Sequence, residues 1–383
     1  MQFRILMLFF FGLVASNTPS TGAQILKGAW VASVYNLNFP SKSGLSLEAQ
    51  RAQIQEIVAA AARSGLNALM VQVRPECDAL YSSPIEPWSR YLTGTQGVSP
   101  GYDPLSYFIR EGGREGIAIH AWINPYRAAA NFAEPRASNH ISRELAGYVH
   151  RIGNSLWLDP GEPAVREHIV EVIRDILGRY AVAGVILDDY FYPYPSRSYS
   201  HGSFPDQLSF SKYGGGMKLD DWRRQNVNRL IQELHQAVKQ IRPEALFGVS
   251  PFGIYRRGAP ADVVVELDQY RDLYADPAAW LRHSWVDYLS PQLYWRDKSA
   301  QSFSALLRWW RSPQVNPHEI PIYPSIALDH LGGSYGWPST EIASQLAIEA
   351  ATKPRSSGGF LLWNVGPLMQ NKKGVALVVE RER

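Results

Sequence analysis

The chain has 383 residues, 45% of them hydrophobic and 19% charged, with a formal charge of +3. That composition buries a sizeable core and leaves no stretch biased enough for disorder. The small charge, spread without basic clusters, excludes a binder built on phosphate neutralisation, and a single domain above about 300 residues points to a closed α/β barrel, which grows by loop insertion.

At the N-terminus Arg4 precedes an apolar run, Ile5 to Val14, too short to span a bilayer as a stable helix. Small residues follow, and residues 1–23 read as a secretory signal, with 24–383 as one barrel domain. This predicts an exported protein, periplasmic or extracellular, with no transmembrane segment in the mature chain. No cysteine follows the apolar run, so no lipid-modified N-terminus is expected. The only cysteine, Cys77, excludes an intrachain disulfide and reads as a lone half-buried thiol.

Eight apolar runs follow in order, at 28–36, 68–75, 118–126, 184–190, 246–253, 287–295, 321–328 and 359–366. They are continuous rather than alternating, as parallel strands covered on both faces require. Helix signals separate them. Ser46 caps a stripe of Ile54, Ile57, Val58 and Ala61 that Gly65 ends, and Asp103-Pro104 opens the next. Pro163 starts a helix with Val165, Ile169, Val172 and Ile176 on one face, and another begins near Asp221. Eightfold strand–helix alternation predicts an α/β fold of the (β/α)8 TIM-barrel type. A doubly wound sheet would want a glycine-rich turn after strand one, and Tyr35-Asn36-Leu37-Asn38 is not one. Two long segments, 128–160 after strand three and 191–219 after strand four, are expected to be loops serving as lids or binding walls.

The fourth run ends Leu187-Asp188-Asp189-Tyr190-Phe191-Tyr192-Pro193. Buried carboxylates cost several kcal/mol unless paired or neutralised, so two at a strand end suggest chemistry. Strand alternation would send them to opposite sides, with Asp189 at the scissile bond and Asp188 orienting loops or its neighbour. Glycoside hydrolysis normally uses two carboxyl groups across the bond, and Glu76 and Asp329 are the candidates for the second. With an N-acetylated sugar, the substrate's own carbonyl oxygen could replace that second group. Other strand ends are aromatic and polar: Trp122-Ile-Asn124-Pro-Tyr126-Arg127, Ser250-Pro-Phe-Gly, Gln292-Leu-Tyr294-Trp295 and Trp363-Asn364. Together with 12 Trp and 20 Tyr, these suit sugar rings, whose apolar faces stack on aromatic side chains. No His-Glu-x-x-His or P-loop pattern occurs, so neither a metal nor a cofactor is expected.

Five motifs, in order, resemble the bacterial glycosyl-hydrolase-like 10 family: His120-Ala-Trp-Ile-Asn-Pro-Tyr-Arg127, Leu158-Asp-Pro-Gly161, the stretch from Gly184 to Pro193, Ser250-Pro-Phe-Gly253 and Pro291-Gln-Leu-Tyr-Trp295. The resemblance runs from about Lys27 to Val375 and implies a (β/α)8 barrel with glycosidase activity. One branch, the divisome-localised glycosyl hydrolases, cleaves peptidoglycan strands stripped of stem peptides, which makes that glycan the expected substrate and partner. Another extracellular polysaccharide, or a non-catalytic glycan-binding barrel, are the alternatives. The resemblance carries a catalytic role to Asp188 and Asp189, and a place lining the site to Arg74, Glu76, Asn124, Tyr190, Gln292 and Trp295. The full set of expected site residues is catalytic Asp188, Asp189 and Glu76, with Arg74, Trp122, Asn124, Tyr126, Arg127, Tyr190, Tyr192, Ser250, Gln292, Tyr294, Trp295 and Trp363 contacting substrate. The chain departs from the lipoprotein members in lacking a lipidation cysteine, and it shows no added peptidoglycan-binding domain.

Overall fold

The eight apolar runs form eight parallel strands in the computed structural model, which describes residues 25–196, 199–352 and 358–381. The expected signal segment lies outside these residues. The strands are β1 (Leu26–Val31), β2 (Ala68–Arg74), β3 (Ala118–Ile123), β4 (Gly184–Leu187), β5 (Leu246–Val249), β6 (Tyr288–Leu289), β7 (Ser325–Ala327) and β8 (Gly359–Trp363). Their order in the sheet is β7-β8-β1-β2-β3-β4-β5-β6. Parallel bridges Leu289–Ile322 and Gln292–Ser325 join the two outer strands and close the ring. The fold is a (β/α)8 barrel, as the alternation predicts.

Each strand is shorter than its apolar run, and the reason is local. Pro291 in the sixth run and Pro321 and Pro324 in the seventh have no N–H to donate to a ladder. The first run leaves its ladder after Val31 and turns through Val34–Asn36, where Tyr35 and Asn36 take positive φ. Except in the seventh run, whose prolines precede β7, the unladdered ends become the loops at the carboxyl rim of the barrel, where barrel enzymes build their sites.

Helices α1 (Leu47–Arg63), α2 (Pro104–Glu115), α3 (Pro163–Arg179) and α4 (Leu219–Ile241) cover the first half of the barrel. The expected caps hold: the Ser46 side chain accepts from the Ala49 N–H, and Asp103 from that of Ser106 ahead of Pro104. Along the strands, Leu69, Val71, Ile119, Ala121, Val185, Leu187 and Phe247 face the helices in one core. Trp30, Met70, Trp122, Ile186, Tyr288, Tyr323 and Leu361 form a second core inside the ring. Rings this large fit because facing positions are glycine. A Cβ on Gly248 would lie 2.2 Å from the Tyr288 ring, and one on Gly184 only 2.7 Å from His120 Nδ1.

Both long segments carry more structure than open loops would. Around 128–160, Arg127–Ala129, Ser155–Leu158 and Val149–Ile152 make a three-stranded antiparallel sheet, with Ser155–Leu158 paired on both sides. The second segment contains a helix, Gln207–Tyr213, and is tied down by Arg223 of α4. Fully buried, Arg223 makes a two-pronged ion pair with Asp206 (2.6 and 2.8 Å) and also donates to the Phe204 carbonyl and the Tyr274 hydroxyl.

Candidate active site

At the carboxyl rim a cavity of about 230 Å³ is lined by Trp30, Trp122, Asp188, Asp189, Tyr190, Tyr194, Ser250, Gln292, Tyr294 and Trp363. Its residues come from the ends of β1, β3, β4, β5, β6 and β8, so no single element makes it. Three tryptophans interlock edge to face: Trp30 with Trp122 (ring centroids 5.0 Å apart), Trp122 with Trp363 (5.9 Å) and Trp30 with Trp363 (6.4 Å). Such a wall offers apolar faces to a sugar ring while leaving its indole N–H groups for polar partners.

Both aspartates line this cavity, which corrects the expectation that alternation separates them. The β4 ladder ends at Leu187, so period-two alternation no longer governs the residues after it. Parity also runs the other way from the sequence reading. Ile186 belongs to the core inside the ring and Leu187 to the outer one, so Asp188 is the residue in phase with the barrel interior.

Asp188 is held by a layered network. Trp122 Nε1 donates to its Oδ2 at 3.1 Å, and the Asn124 side-chain amide donates to the same oxygen. Asn124 is oriented in turn, because its Oδ1 accepts from Gln72 Nε2 (2.5 Å) and Arg127 Nη2 (3.0 Å), which leaves its NH2 for Asp188. Gln72 is fixed by the backbone N–H groups of Ser33 and Val34, both at 2.9 Å. With Oδ2 doubly occupied, Oδ1 has only the long 3.3 Å bond from the Tyr190 N–H and is the oxygen free to carry a proton. Burial and then the charge of Asp189 push the Asp188 pKa from 3.8 up to about 7, against the opposing pull of Arg127.

Asp189 is bound differently. The Tyr194 hydroxyl donates to its Oδ2 and Gln292 Nε2 to its Oδ1 at 3.0 Å, so both oxygens accept. Burial raises its pKa as well, with both donors opposing the rise. Gln292 is steadied by also donating to the Ser250 carbonyl at 3.1 Å.

Of the expected site residues, Trp122, Asp188, Asp189, Tyr190, Ser250, Gln292, Tyr294 and Trp363 meet in the cavity. The others do not line it. Glu76 is buried under the rim, accepting from Arg90 (3.1 Å), the Tyr91 hydroxyl (2.8 Å) and the Ala130 N–H (2.9 Å), so its charge is spent on joining loops. Arg74 is wholly buried in a two-pronged pair with Glu86 and also donates to the carbonyls of Asn124 and Pro125. It holds the end of β3 in place without reaching the cavity. Asn124 and Arg127 form the layer behind Asp188, with Arg127 stacked over the Tyr190 ring at 5.0 Å. Tyr126 and Tyr192 are core residues with no exposure, and Trp295 packs edge to face on Phe252. Asp329 sits exposed beside Trp363 and is not among the lining residues. Cys77 is fully rather than half buried, and burial pushes its thiol pKa up to about 12, which removes it as a nucleophile.

Sequence reasoning missed Trp30 and Tyr194. Trp30 lies at the true end of β1, six residues before the predicted end, so it read as strand interior. Tyr194 follows in Tyr192-Pro-Tyr194-Pro195, where nothing in the sequence separates the tyrosine that enters the core from the one that reaches Asp189.

The comparisons with known proteins bear on family and fold. A family model described as glycosyl hydrolase-like 10 matches residues 25–335. Glycosyl hydrolase YngK of Bacillus subtilis (strain 168) is 37% identical over 82% of this chain and 62% of its own length. The chain thus spans about three fifths of that relative. Glycosyl hydrolase DigH of Escherichia coli (strain K12) is 33% identical over 83% of this chain and 77% of its own. Among solved structures, the PgaB (BpsB) glycoside hydrolase domain from Bordetella bronchiseptica superposes with a TM-score of 0.58 at 11% identity, covering 93% of this chain and 98% of that one. The endo-1,4-beta-mannanase from Rhizomucor miehei gives 0.56 at 11% identity, covering 93% and 95%. At such identity these two likenesses speak for the barrel alone, whereas the family match and the closer relatives speak for lineage: the chain belongs to the glycosyl hydrolase-like 10 family.

Proposed function

We propose that this chain is a glycoside hydrolase acting on bacterial cell-wall glycan, peptidoglycan strands freed of stem peptides in particular. The observation that carries the proposal is Asp188, a carboxyl with a pKa near 7 in a cavity walled by tryptophans. A proton donor that is half charged at neutral pH suits general acid catalysis. A site made only for stacking has no use for two buried carboxyls.

In this reading Asp188 passes its Oδ1 proton to the glycosidic oxygen as the bond from that oxygen to C1 breaks. Asp189, with donors on both oxygens opposing the rise that burial causes, steadies the positive charge that develops on the sugar. No third carboxylate lines the cavity among the described residues. The acetamido carbonyl of an N-acetylated sugar then serves as the nucleophile at C1. Water then adds to C1 as the bond from the acetamido oxygen to C1 breaks, which restores the acetamido group, and one proton of that water returns to Asp188. An acetamido nucleophile is what turns the reading towards wall glycan, and two relatives named glycosyl hydrolases support hydrolysis itself.

Export follows from Arg4 and the apolar run after it, so the proposed place of action is the periplasm or the cell exterior, with residues 24–383 as one domain. Among the described residues no helix is long and apolar enough to cross a membrane.

The test is to digest denuded and peptide-bearing glycan strands and identify released fragments by mass spectrometry. Cleavage of denuded strands, lost in Asp188→Asn, is the expected result. Full activity in both Asp188→Asn and Asp189→Asn would remove the site. Cleavage of a different extracellular polysaccharide alone would replace the substrate.

A further inference from the structure

A second aromatic feature stands beside the cavity, on the loop that follows β7. Tyr335 is 61% exposed, unusual for so large a ring. It is not a loose side chain. Its ring lies against that of His330 with centroids 3.7 Å apart and planes within 18°, so one face is covered and the other is free. His330 is in turn braced edge-on by Trp337 at 4.8 Å. Trp337 and Leu331 are both buried and anchor the loop in the core.

The backbone is fixed too. Trp337 N–H donates to the His330 carbonyl (3.0 Å), Gly332 N–H to the Trp337 carbonyl (3.1 Å) and Gly336 N–H to the Gly332 carbonyl (2.9 Å). Gly332, Gly333 and Gly336 adopt positive φ, which lets the chain reverse around the tyrosine. Lys373 Nζ clamps the Trp337 carbonyl from outside at 3.1 Å.

This platform connects to the cavity through rings. His330 meets Tyr294 at 6.5 Å, and Tyr294 meets Trp363 at 6.5 Å with planes 31° apart. Tyr294 and Trp363 both line the cavity, so an unbroken series of aromatic side chains runs from the tryptophan wall to the exposed tyrosine. A volume near 230 Å³ is smaller than the ~300–1,000 Å³ of sites that enclose a whole ligand, and it suits one ring of a longer chain.

We propose that the free face of Tyr335 is a remote sugar subsite, where a pyranose ring of the same glycan chain stacks several units from the bond cleaved, so that this site acts within long strands. The inference rests on the glycosidase reading above. A half-covered ring on a tied loop suits a pyranose, which has an apolar face and needs only one partner surface. A preformed platform also binds without the cost of ordering a loop.

The experiment compares wild type, Tyr335→Ala, Tyr335→Phe and Tyr335→Trp on denuded peptidoglycan strands sorted by length. For Tyr335→Ala the expected result is a loss of about 3- to 10-fold in kcat/KM on long strands, through KM, the size of one aromatic contact. The shortest cleavable strands are expected to react as in wild type, and the Phe and Trp variants to keep the preference for length. Equal rates for wild type and Tyr335→Ala at every length would overturn the subsite while leaving the glycosidase reading standing. A wild type that cleaves no strand of any length would overturn both. Tyr335 is largely exposed, so an unchanged melting temperature is expected, and a loss equal at all lengths would count against the subsite.

Discussion

Asp188 owes its chemistry to what occupies its two oxygens. Trp122 and Asn124 take one, and the other is left to exchange a proton in a site too dry to favour the charge. Asp188→Asn should therefore lower kcat by about 10²- to 10⁴-fold, measured on denuded strands with melting curves to confirm folding. Wild-type kcat/KM should fall as pH rises through about 7, where the acid loses its proton. Stability should respond in the same window. The native carboxyl keeps a proton up to about pH 7 that an unfolded aspartate releases near 3.8, so the native state weakens as pH rises between these values and levels off above them. Asp188→Asn lacks that loss, and its melting temperature should gain on wild type from pH 4 to 7 with no further gain at pH 8. Glu76 should behave as a structural residue. Glu76→Gln should lower the melting temperature, because it leaves Arg90 short of its partner, while kcat stays within about threefold. A kcat loss as large as that of Asp188→Asn would restore Glu76 to the chemistry. Sequence pattern was enough to find the aspartates, since two acids after a wholly apolar strand have few structural uses. It could not sort Glu76 and Arg74 from the site, because a buried ion pair and a catalytic acid look alike until their partners are known.

At the level of elements, strand ends were harder to read than strands. Each apolar run announced a strand, but where the ladder stops depends on prolines and on the partner strand. A β1 ending at Val31 makes Trp30 a cavity residue, and a β4 ending at Leu187 lets both aspartates turn to the same side. The glycines inside the barrel are a related case. Gly184 begins β4 and Gly248 lies within β5, and each leaves room for a ring or imidazole on the neighbouring strand that the sequence does not reveal. Gly248→Ala should cost about 1–3 kcal/mol by overpacking against Tyr288, measured by denaturant unfolding. A variant as stable as wild type would mean the ring moves freely. The antiparallel sheet within 128–160 escaped notice because its strands are three or four residues long, below the length at which alternation stands out.

Across the whole molecule, the ring of strands is not uniformly strong. β2 and β3 run in register from Ala68 to Gln72, whereas β6 and β7 meet only through isolated bridges. Hydrogen exchange should accordingly open the β6–β7 seam first, with the amides of Tyr323 and Ser325 exchanging before those of Leu69 to Val71. Simultaneous exchange at both places would show that the barrel opens as one unit. The large core was foreseeable from composition and eightfold alternation. The existence of one weak side was not, since it depends on three prolines acting on two adjacent strands. The packing inside the ring has one more effect. Trp30, Met70, Tyr288 and Tyr323 fill the space beneath the aspartates, so the reaction chamber has a mouth and no rear exit. A polymer cannot be threaded through such a vessel. Under the proposed function, the glycan has to arrive sideways, be cut where it rests, and give up both fragments by the doorway through which it came.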